Sequence, residues 1–203
     1  KALPGDDLLA ALDLNLGDPI LFYDVDAAQL RVEQLGWVRK ATVERQLPDK
    51  IYVNLQERTP IAIWQRDKSF TLVDSEGEVI GGDSVNKHGH LKVVVGDNAP
   101  ENAANLMRLL AEAPDLEARV IAAVWIGNRR WNLHLDNGID VRLPEANPVG
   151  AWAKLANLQK EHAVRAKDIT AIDMRQPDRL VVKMTDTGAQ RLLEISKKVD
   201  HET

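Results

Sequence analysis

Residues 35–64 read LGWVRKATVERQLPDKIYVNLQERTPIAIW and contain two strand patterns around a turn, followed by a third apolar run. Apolar and polar residues alternate within 50–56, and the Pro-Asp-Lys segment at 48–50 is typical of a hairpin turn. Pro60 has no backbone N–H and would normally end a strand. Because the apolar run 61–64 follows it directly, we expect the chain to leave one sheet here and enter another.

Upstream of this segment the sequence predicts two helices. The first covers residues 4–16, and the second runs from a cap at Asp26 to Gly36. Strands follow at about 38–47 and 50–58, which gives the order α-α-β-β. A further strand would normally precede the first helix in such an order, and it is missing here.

Downstream of residue 64 the pattern changes to a mixture of strands and helices. Helices are predicted near 101–113 and 148–161, and the run 119–127 is apolar on both faces, as in a central strand. Trp125 and Trp131 are expected to fill the core there. The sequence therefore predicts an α+β protein with an N-terminal domain, a mainly antiparallel β domain with flanking helices, and a C-terminal helix or tail, at residues 1–64, 65–186 and 187–203.

The registers of two hairpins follow from matching their apolar faces. In the hairpin at 128–143, a three-residue loop at 136–138 pairs Leu133 with Val141, whereas a two-residue turn would put the apolar sets on opposite faces. The same reasoning predicts two pairs in the last hairpin of the chain: Met174 with Leu180, and Ile172 with Val182.

Composition excludes several classes of protein. The chain has 203 residues, a net charge of -5 and no cysteine. Sequence-independent nucleic-acid binding needs clustered Lys and Arg, and no basic stripe is present. The lack of cysteine excludes disulfides, thiolate zinc sites and thiol catalysis. No apolar run reaches the roughly 20 residues of a membrane span. Since the chain begins with Lys1 rather than Met, we expect further residues upstream in the native protein.

No residue pattern predicts catalysis, a cofactor or a metal site. His88 and His90 flank a glycine in a polar loop, but no third ligand stands at a diagnostic spacing. The segment around Ser84 lacks the second glycine of a nucleophile elbow. The glycines never fall at the spacings of a phosphate-binding loop. We therefore expect a protein that is not an enzyme.

Several segments, in the right order, resemble the FtsQ/DivIB family of bacterial cell-division proteins. The matching positions around the opening segment are Trp37, Pro48, Asp49, Glu57, Pro60, Ile61, Ala62 and Trp64. The similarity continues through residues 72–80, 128–143 and 173–175. It implies that the N-terminal domain is a POTRA domain and that Pro60 marks its junction with the β domain. A junction this short limits relative domain motion.

The resemblance also implies a location and partners. Family members are single-span inner-membrane proteins, so this fragment would lie in the periplasm and the membrane helix would precede it. They are non-enzymatic scaffolds of the divisome that bind FtsB and FtsL, with FtsB at the distal end of the β domain. Other divisome proteins would bind the POTRA domain.

Two groups of residues are predicted to bind the partner. Arg129, Arg130 and Arg175 match basic positions that the family places around its partner-binding face, although solvated arginines at strand ends would give the same pattern. The strand at 179–185 is expected to be an open sheet edge to which FtsB adds a strand. We expect its residues to alternate, with Leu180, Val182 and Met184 toward the core and Arg179, Val181, Lys183 and Thr185 outward.

Two other classes of function are compatible with parts of the pattern. A POTRA-type chaperone or secretion component would hand clients to an outer-membrane barrel, but such proteins usually carry several POTRA modules ahead of alternating barrel strands. A periplasmic hydrolase would need catalytic residues that the sequence does not show.

Overall fold

A computed structural model describes residues 3–15, 17–81, 83–161, 168–176 and 179–190. The predicted C-terminal helix or tail at 187–203 lies mostly outside these residues. The five α-helices of the described part are α1 Gly5–Leu12, α2 Val25–Glu33, α3 Ala99–Ala111, α4 Pro114–Glu117 and α5 Pro148–Glu161. Its strands are β1 Val38–Gln46, β2 Lys50–Glu57, β3 Pro60–Arg66, β4 Ser69–Asp74, β5 Val79–Ile80, β6 Val93–Val95, β7 Val120–Ile126, β8 Arg130–Leu135, β9 Asp140–Arg142, β10 Ile169–Asp173 and β11 Val181–Met184.

The N-terminal layer consists of α1 and α2 packed on the antiparallel hairpin β1–β2. Its core is formed by Leu12, Ala28, Val32, Val38, Ala41 and Val43. The predicted cap at Asp26 is wrong. Asp24 caps α2 by accepting a hydrogen bond from the N–H of Ala27 (3.0 Å), because the helix begins at Val25, two residues earlier than the sequence suggested.

The remaining strands form one nine-stranded mixed sheet in the order β11-β10-β9-β8-β7-β6-β3-β4-β5. The α+β class with a mainly antiparallel sheet is confirmed. β3 pairs with β4 and β6, so residues 60–64, which the sequence analysis placed in the first domain, lie in this second sheet. A ladder partner on each side holds β3 there, and Pro60 stands at its first residue, where a missing N–H is tolerated.

Helices α3, α4 and α5 contribute to the main core on one face of the nine-stranded sheet. The predicted central strand at 119–127 is β7, which lies between β6 and β8. Trp131 is buried in this core, as expected, whereas Trp125 is only half-buried. The indole N–H of Trp152 donates to the carbonyl of Leu110 (3.2 Å) and ties α5 to α3.

Both hairpin registers agree with the face-matching argument. Leu133 pairs with Val141, and the loop glycine, Gly138, has the left-handed φ of 81° that a three-residue loop requires. In the last hairpin Ile172 pairs with Val182. The predicted pair of Met174 with Leu180 lies beyond the ladder, because β10 ends one residue before Met174.

The last strand is shorter than predicted, and the burial of two of its predicted residues differs from the prediction. It covers Val181–Met184 rather than 179–185. Val182 was expected to face the core but is 40% exposed, because an edge strand has a neighbour on one side only. Thr185 is half-buried rather than outward, since its hydroxyl accepts from the N–H of Gly188 (3.1 Å) and begins a helical turn.

Candidate partner-binding surface

The strand β11 lies at one edge of the nine-stranded sheet. It pairs antiparallel with β10. Among the residues that the structure describes, no strand pairs with its other side. An unpaired strand edge presents backbone donors and acceptors that another chain can use. The edge is therefore the first element of a candidate docking surface.

The hydrogen bonds around β11 show which of its backbone groups point outward. The N–H of Thr185 donates to the carbonyl of Asp168 (2.9 Å), and the carbonyl of Lys183 accepts from the Thr170 hydroxyl (3.2 Å), so both groups point toward β10. Backbone groups alternate in direction along an antiparallel strand. It follows that the N–H groups of Val182 and Met184 point away from the sheet.

The neighbouring strand confirms this assignment. The N–H of Met174 donates to the carbonyl of Arg142 in β9 (3.0 Å). By the same alternation, the N–H of Asp173 points the opposite way, toward β11, where Asp173 is paired with Val181. Val181 thus bonds inward, and its successor Val182 offers its donor and acceptor to the free edge.

Side chains beside this edge are apolar and exposed on both faces of the sheet. Val182 shares the helix-covered face with Ile172 and is 40% exposed, while Val181 shares the opposite face with Asp173 and is 51% exposed. Lys183 is also exposed. A lysine on an edge strand discourages pairing between copies of the same protein. The edge can therefore bind an apolar strand, while Lys183 disfavours pairing between two copies of this chain.

The strand directions bring all four predicted arginines to one end of the sheet. β8 runs antiparallel to β9, β9 is parallel to β10, and β10 is antiparallel to β11. The start of β8, the end of β10 and the start of β11 therefore share that end. Arg129 and Arg130, Arg175, and Arg179 lie at these three points. Lys183 and Thr185 lie toward the opposite end of β11.

Arg175 is already paired within the chain. Its guanidinium donates to the carboxylate of Asp173 through Nε (2.9 Å) and Nη2 (2.6 Å), and Arg142 lies 3.6 Å from the same carboxylate. The hydrogen bond from Arg175 lowers the pKa of Asp173 and outweighs the effect of burial. Arg142 was missed by the sequence analysis, although its alternation with buried Val141 in a predicted hairpin shows that it faces outward.

Arg129 and Arg130 lie at a groove of about 480 Å³ between α3 and the β7–β8 turn. Arg129 is 3.8 Å from Glu145, and both side chains are more than half exposed. The Nε of Arg130 and the indole nitrogen of Trp125 are buried without a hydrogen-bond partner among the described residues.

A second groove, of about 230 Å³, adjoins the start of β11 on the helix-covered face. Its apolar wall includes Met174, Leu180 and Ala151. Lys154 of α5 and Arg179 supply positive charge at the same groove. Lys154 gave no signal in the sequence, because its place beside β11 depends on how α5 packs. The groove can hold apolar side chains of a segment that also carries acidic residues.

Metal-ligand clusters and membrane-spanning helices were both sought among the described residues. They contain no group of three or more His, Cys, Asp or Glu side chains that could hold a metal ion. The rings of His88 and His90 have centroids 6.1 Å apart. No helix in the described part of the chain is long and apolar enough to cross a bilayer.

Family models and individual relatives point to the same protein family. Residues 62–175 match the family model for the C-terminal part of cell division protein FtsQ/DivIB, and residues 1–58 match the FtsQ-type POTRA domain. The chain is 35% identical over 190 residues to a cell division protein FtsQ from Bradyrhizobium diazoefficiens, covering 94% of this chain but 56% of that protein. It is 37% identical over 185 residues to an FtsQ from Rhizobium radiobacter, covering 91% of this chain and 88% of that protein.

Among solved structures, the chain is similar to the major extracytoplasmic domain of the trans isomer of the bacterial cell division protein DivIB from Geobacillus stearothermophilus. The sequence identity is 16% and the TM-score is 0.35. The match covers 53% of this chain and 98% of that one.

Proposed function

Because the chain belongs to the FtsQ/DivIB family of cell division proteins, we propose that it is a non-enzymatic scaffold of the bacterial divisome. Its distal sheet edge binds FtsB, and through it FtsL. The observation that carries this proposal is the outer edge of β11, which no strand of the described residues covers, with the N–H groups of Val182 and Met184 directed outward.

The edge is suited to strand addition. In that mode backbone hydrogen bonds supply affinity, and alternate side chains of the added strand supply selectivity. The exposed side chains of Val181 and Val182 offer an apolar contact on each face of the sheet. The groove formed in part by Met174 and Leu180 can take side chains from the residues next to the added strand. An extended segment of FtsB is the occupant we propose.

The arginines at this end of the sheet favour an acidic partner segment. Arg129, Arg130 and Arg179 are the cations we assign to direct contact. Arg175 contributes less, because Asp173 already neutralises its charge. Charge pairs at the rim of an interface mainly change the association rate and its dependence on salt. The basic end therefore orients the partner, while the edge strand holds it.

The rest of the proposed function concerns location and the N-terminal part. We place this fragment in the periplasm, anchored to the inner membrane by a single helix upstream of it. The Bradyrhizobium diazoefficiens relative is longer than the stretch matched here, which leaves room for such a segment. Residues 1–58, which match the FtsQ-type POTRA domain, bind other divisome proteins.

Two proline substitutions test the strand-addition mechanism. Val182→Pro removes an N–H that points outward, so the variant should keep the wild-type melting temperature and lose affinity for the purified periplasmic region of FtsB by tenfold or more, about 1.4 kcal/mol. Val181→Pro removes an N–H that bonds to β10, so it should lower the melting temperature. Calorimetric titration measures the affinity and circular dichroism the melting temperature.

The Val181→Pro variant serves as the matched control, since it places the same residue one position away on the same strand. A stable Val182→Pro variant that binds FtsB with wild-type affinity would show that no strand is added at this edge.

A further inference from the structure

A cluster of charged side chains joins the two sheets near β4 and β5, at the edge of the nine-stranded sheet opposite to β11. Arg39 of β1 and Arg58, which follows β2, belong to the N-terminal layer. Asp74 at the end of β4 and Glu76 in the β4–β5 turn belong to the nine-stranded sheet. Arg58 donates to Asp74 (2.6 Å) and to Glu76 (3.4 Å), and Arg39 donates to Glu76 through Nε (3.2 Å). Glu76 therefore connects two arginines from different parts of the first layer.

Asp74 fixes the turn that presents Glu76. Its side chain is buried, and Oδ1 accepts from the backbone N–H groups of Glu76 (2.8 Å) and Glu78 (3.0 Å). The other oxygen, Oδ2, accepts from Arg58. Gly77 in this turn has a φ of 84°, and a Cβ there would lie 2.9 Å from the Cα of Glu101 in α3. The turn is held by both its own hydrogen bonds and its contact with α3.

An apolar cluster lies beside these charges. Trp37, which precedes β1, is buried against Ile63, Leu72 and Ile80 of the second sheet. The N–H of Arg58 donates to the carbonyl of Trp37 (2.8 Å), so the arginine backbone is tied to the same anchor. This cluster joins the two layers, and Trp37 is the buried side chain that the described N-terminal layer contributes to it.

We propose that Glu76, held by Arg39 and Arg58, is a clasp that fixes the angle between the two layers. Only residues 58 and 59 connect β2 to β3. Relative motion between two domains is expected unless their interface is large and hydrophobic. Two arginines that hold one carboxylate from different directions oppose that rotation. Arg39 and Glu76 are nearly half exposed, so the clasp contributes little to folding free energy, but a small bias is enough to favour one orientation.

Distance measurements between spin labels test the clasp. The chain has no cysteine, so Glu44→Cys in β1 and Ala153→Cys in α5 add two unique label sites, both exposed. With the clasp intact, double electron–electron resonance should give one narrow distance distribution. Glu76→Ala should broaden it by about twofold or more, as expected for released interdomain motion. It should leave the melting temperature almost unchanged.

The matched control is Asp67→Ala. Asp67 also forms an exposed ion pair in a turn of the second sheet, with Arg66 at 3.8 Å, but both partners belong to that sheet. The control should keep the narrow distribution. If Glu76→Ala keeps it too, the apolar cluster alone sets the angle and the clasp is wrong.

High salt supplies a second test on the doubly labelled protein in which Glu76 is unchanged. Exposed ion pairs weaken at 1 M salt, where the screening length is about 3 Å. Wild type should then broaden toward the Glu76→Ala distribution, and a wild-type distribution that stays narrow would contradict the clasp. These experiments need no partner protein, so their outcome is independent of whether FtsB binds β11.

Discussion

The two edge strands of the nine-stranded sheet differ in length and in the exposure of their side chains. At one edge, β5 is two residues long, Ile80 is fully buried, and the neighbouring strand β4 buries Leu72 on one face and Val73 on the other. At the other edge, β11 has four residues, and Val181 and Val182 are exposed. Short, covered edges resist pairing with other chains, and longer open ones invite it. One sheet thus has a two-residue edge strand in which Ile80 is buried and Val79 is exposed, and a four-residue edge strand in which both valines are exposed.

The largest expected effect lies near the β5 edge, where Trp37 packs against Leu72 and Ile80. Trp37→Ala removes the side chain that joins the two layers, and large-to-small substitutions of buried aromatic residues cost about 3–5 kcal/mol. Denaturant unfolding should show this loss. Phe70→Ala in β4 is the control, because Phe70 is 50% exposed and substitutions at the surface usually stay within about 0.5 kcal/mol. Equal losses in the two variants would mean that Trp37 is not an anchor.

A smaller effect is expected from a methyl group placed between the two layers. A Cβ on Gly36 would lie 2.8 Å from the backbone nitrogen of Gly81, and a backbone atom cannot move aside as a side chain can. Gly36→Ala should therefore cost about 1–3 kcal/mol, as overpacking does.

Gly81 is the natural control for that substitution. A Cβ there has nothing within 4 Å. Gly81→Ala should leave the unfolding midpoint nearly unchanged. A Gly36→Ala variant as stable as Gly81→Ala would show that the layers do not approach as closely as described.

The smallest expected effect concerns how the free energy of unfolding depends on pH in the acid range. Burial alone would raise the pKa of Asp74, but the hydrogen bonds from Arg58 and from the N–H groups of Glu76 and Glu78 outweigh it, so the pKa is lowered. A carboxyl with a lowered pKa in the folded state stabilises the protein above its unfolded pKa of about 3.9 and loses that contribution as the pH falls through the folded value.

Asp74→Asn should remove this part of the acid dependence. The difference in unfolding free energy between wild type and variant should shrink as the pH falls below about 4. Urea unfolding at several pH values measures it. If the difference in unfolding free energy stayed constant from neutral pH to the lowest pH measured, the assigned role of Asp74 would be contradicted.

The sequence predicted features that depend on local alternation of residues. The pairing of Leu133 with Val141 and of Ile172 with Val182 followed from matching apolar faces across a turn. The helix at Pro148–Glu161 followed from a proline in its first turn and from Asn147 before it, whose side chain accepts from the N–H of Gly150 (3.0 Å). These features could be predicted because the residues that decide them stand close together in the chain.

Features that depend on distant segments could not be predicted. The parallel pairing of β6 with β3 and β7 is set by tertiary packing. Glu76 and Arg39 are separated by 37 positions, and nothing in either segment indicates their contact. The exposure of Val182 was missed for a related reason. Alternation gives the face a side chain is on, but whether another element covers that face depends on where α5 packs.

Amide hydrogen exchange at β11 tests the central claim most directly. In the isolated chain, the amides of Val182 and Met184 should exchange faster than those of Val181 and Lys183, which bond to β10; exchange rates report such local protection. Adding the periplasmic region of FtsB should protect Val182 and Met184 and leave the other two amides unchanged. If Val182 and Met184 are protected without the partner, or stay unprotected with it, then β11 is not the edge to which the partner adds its strand.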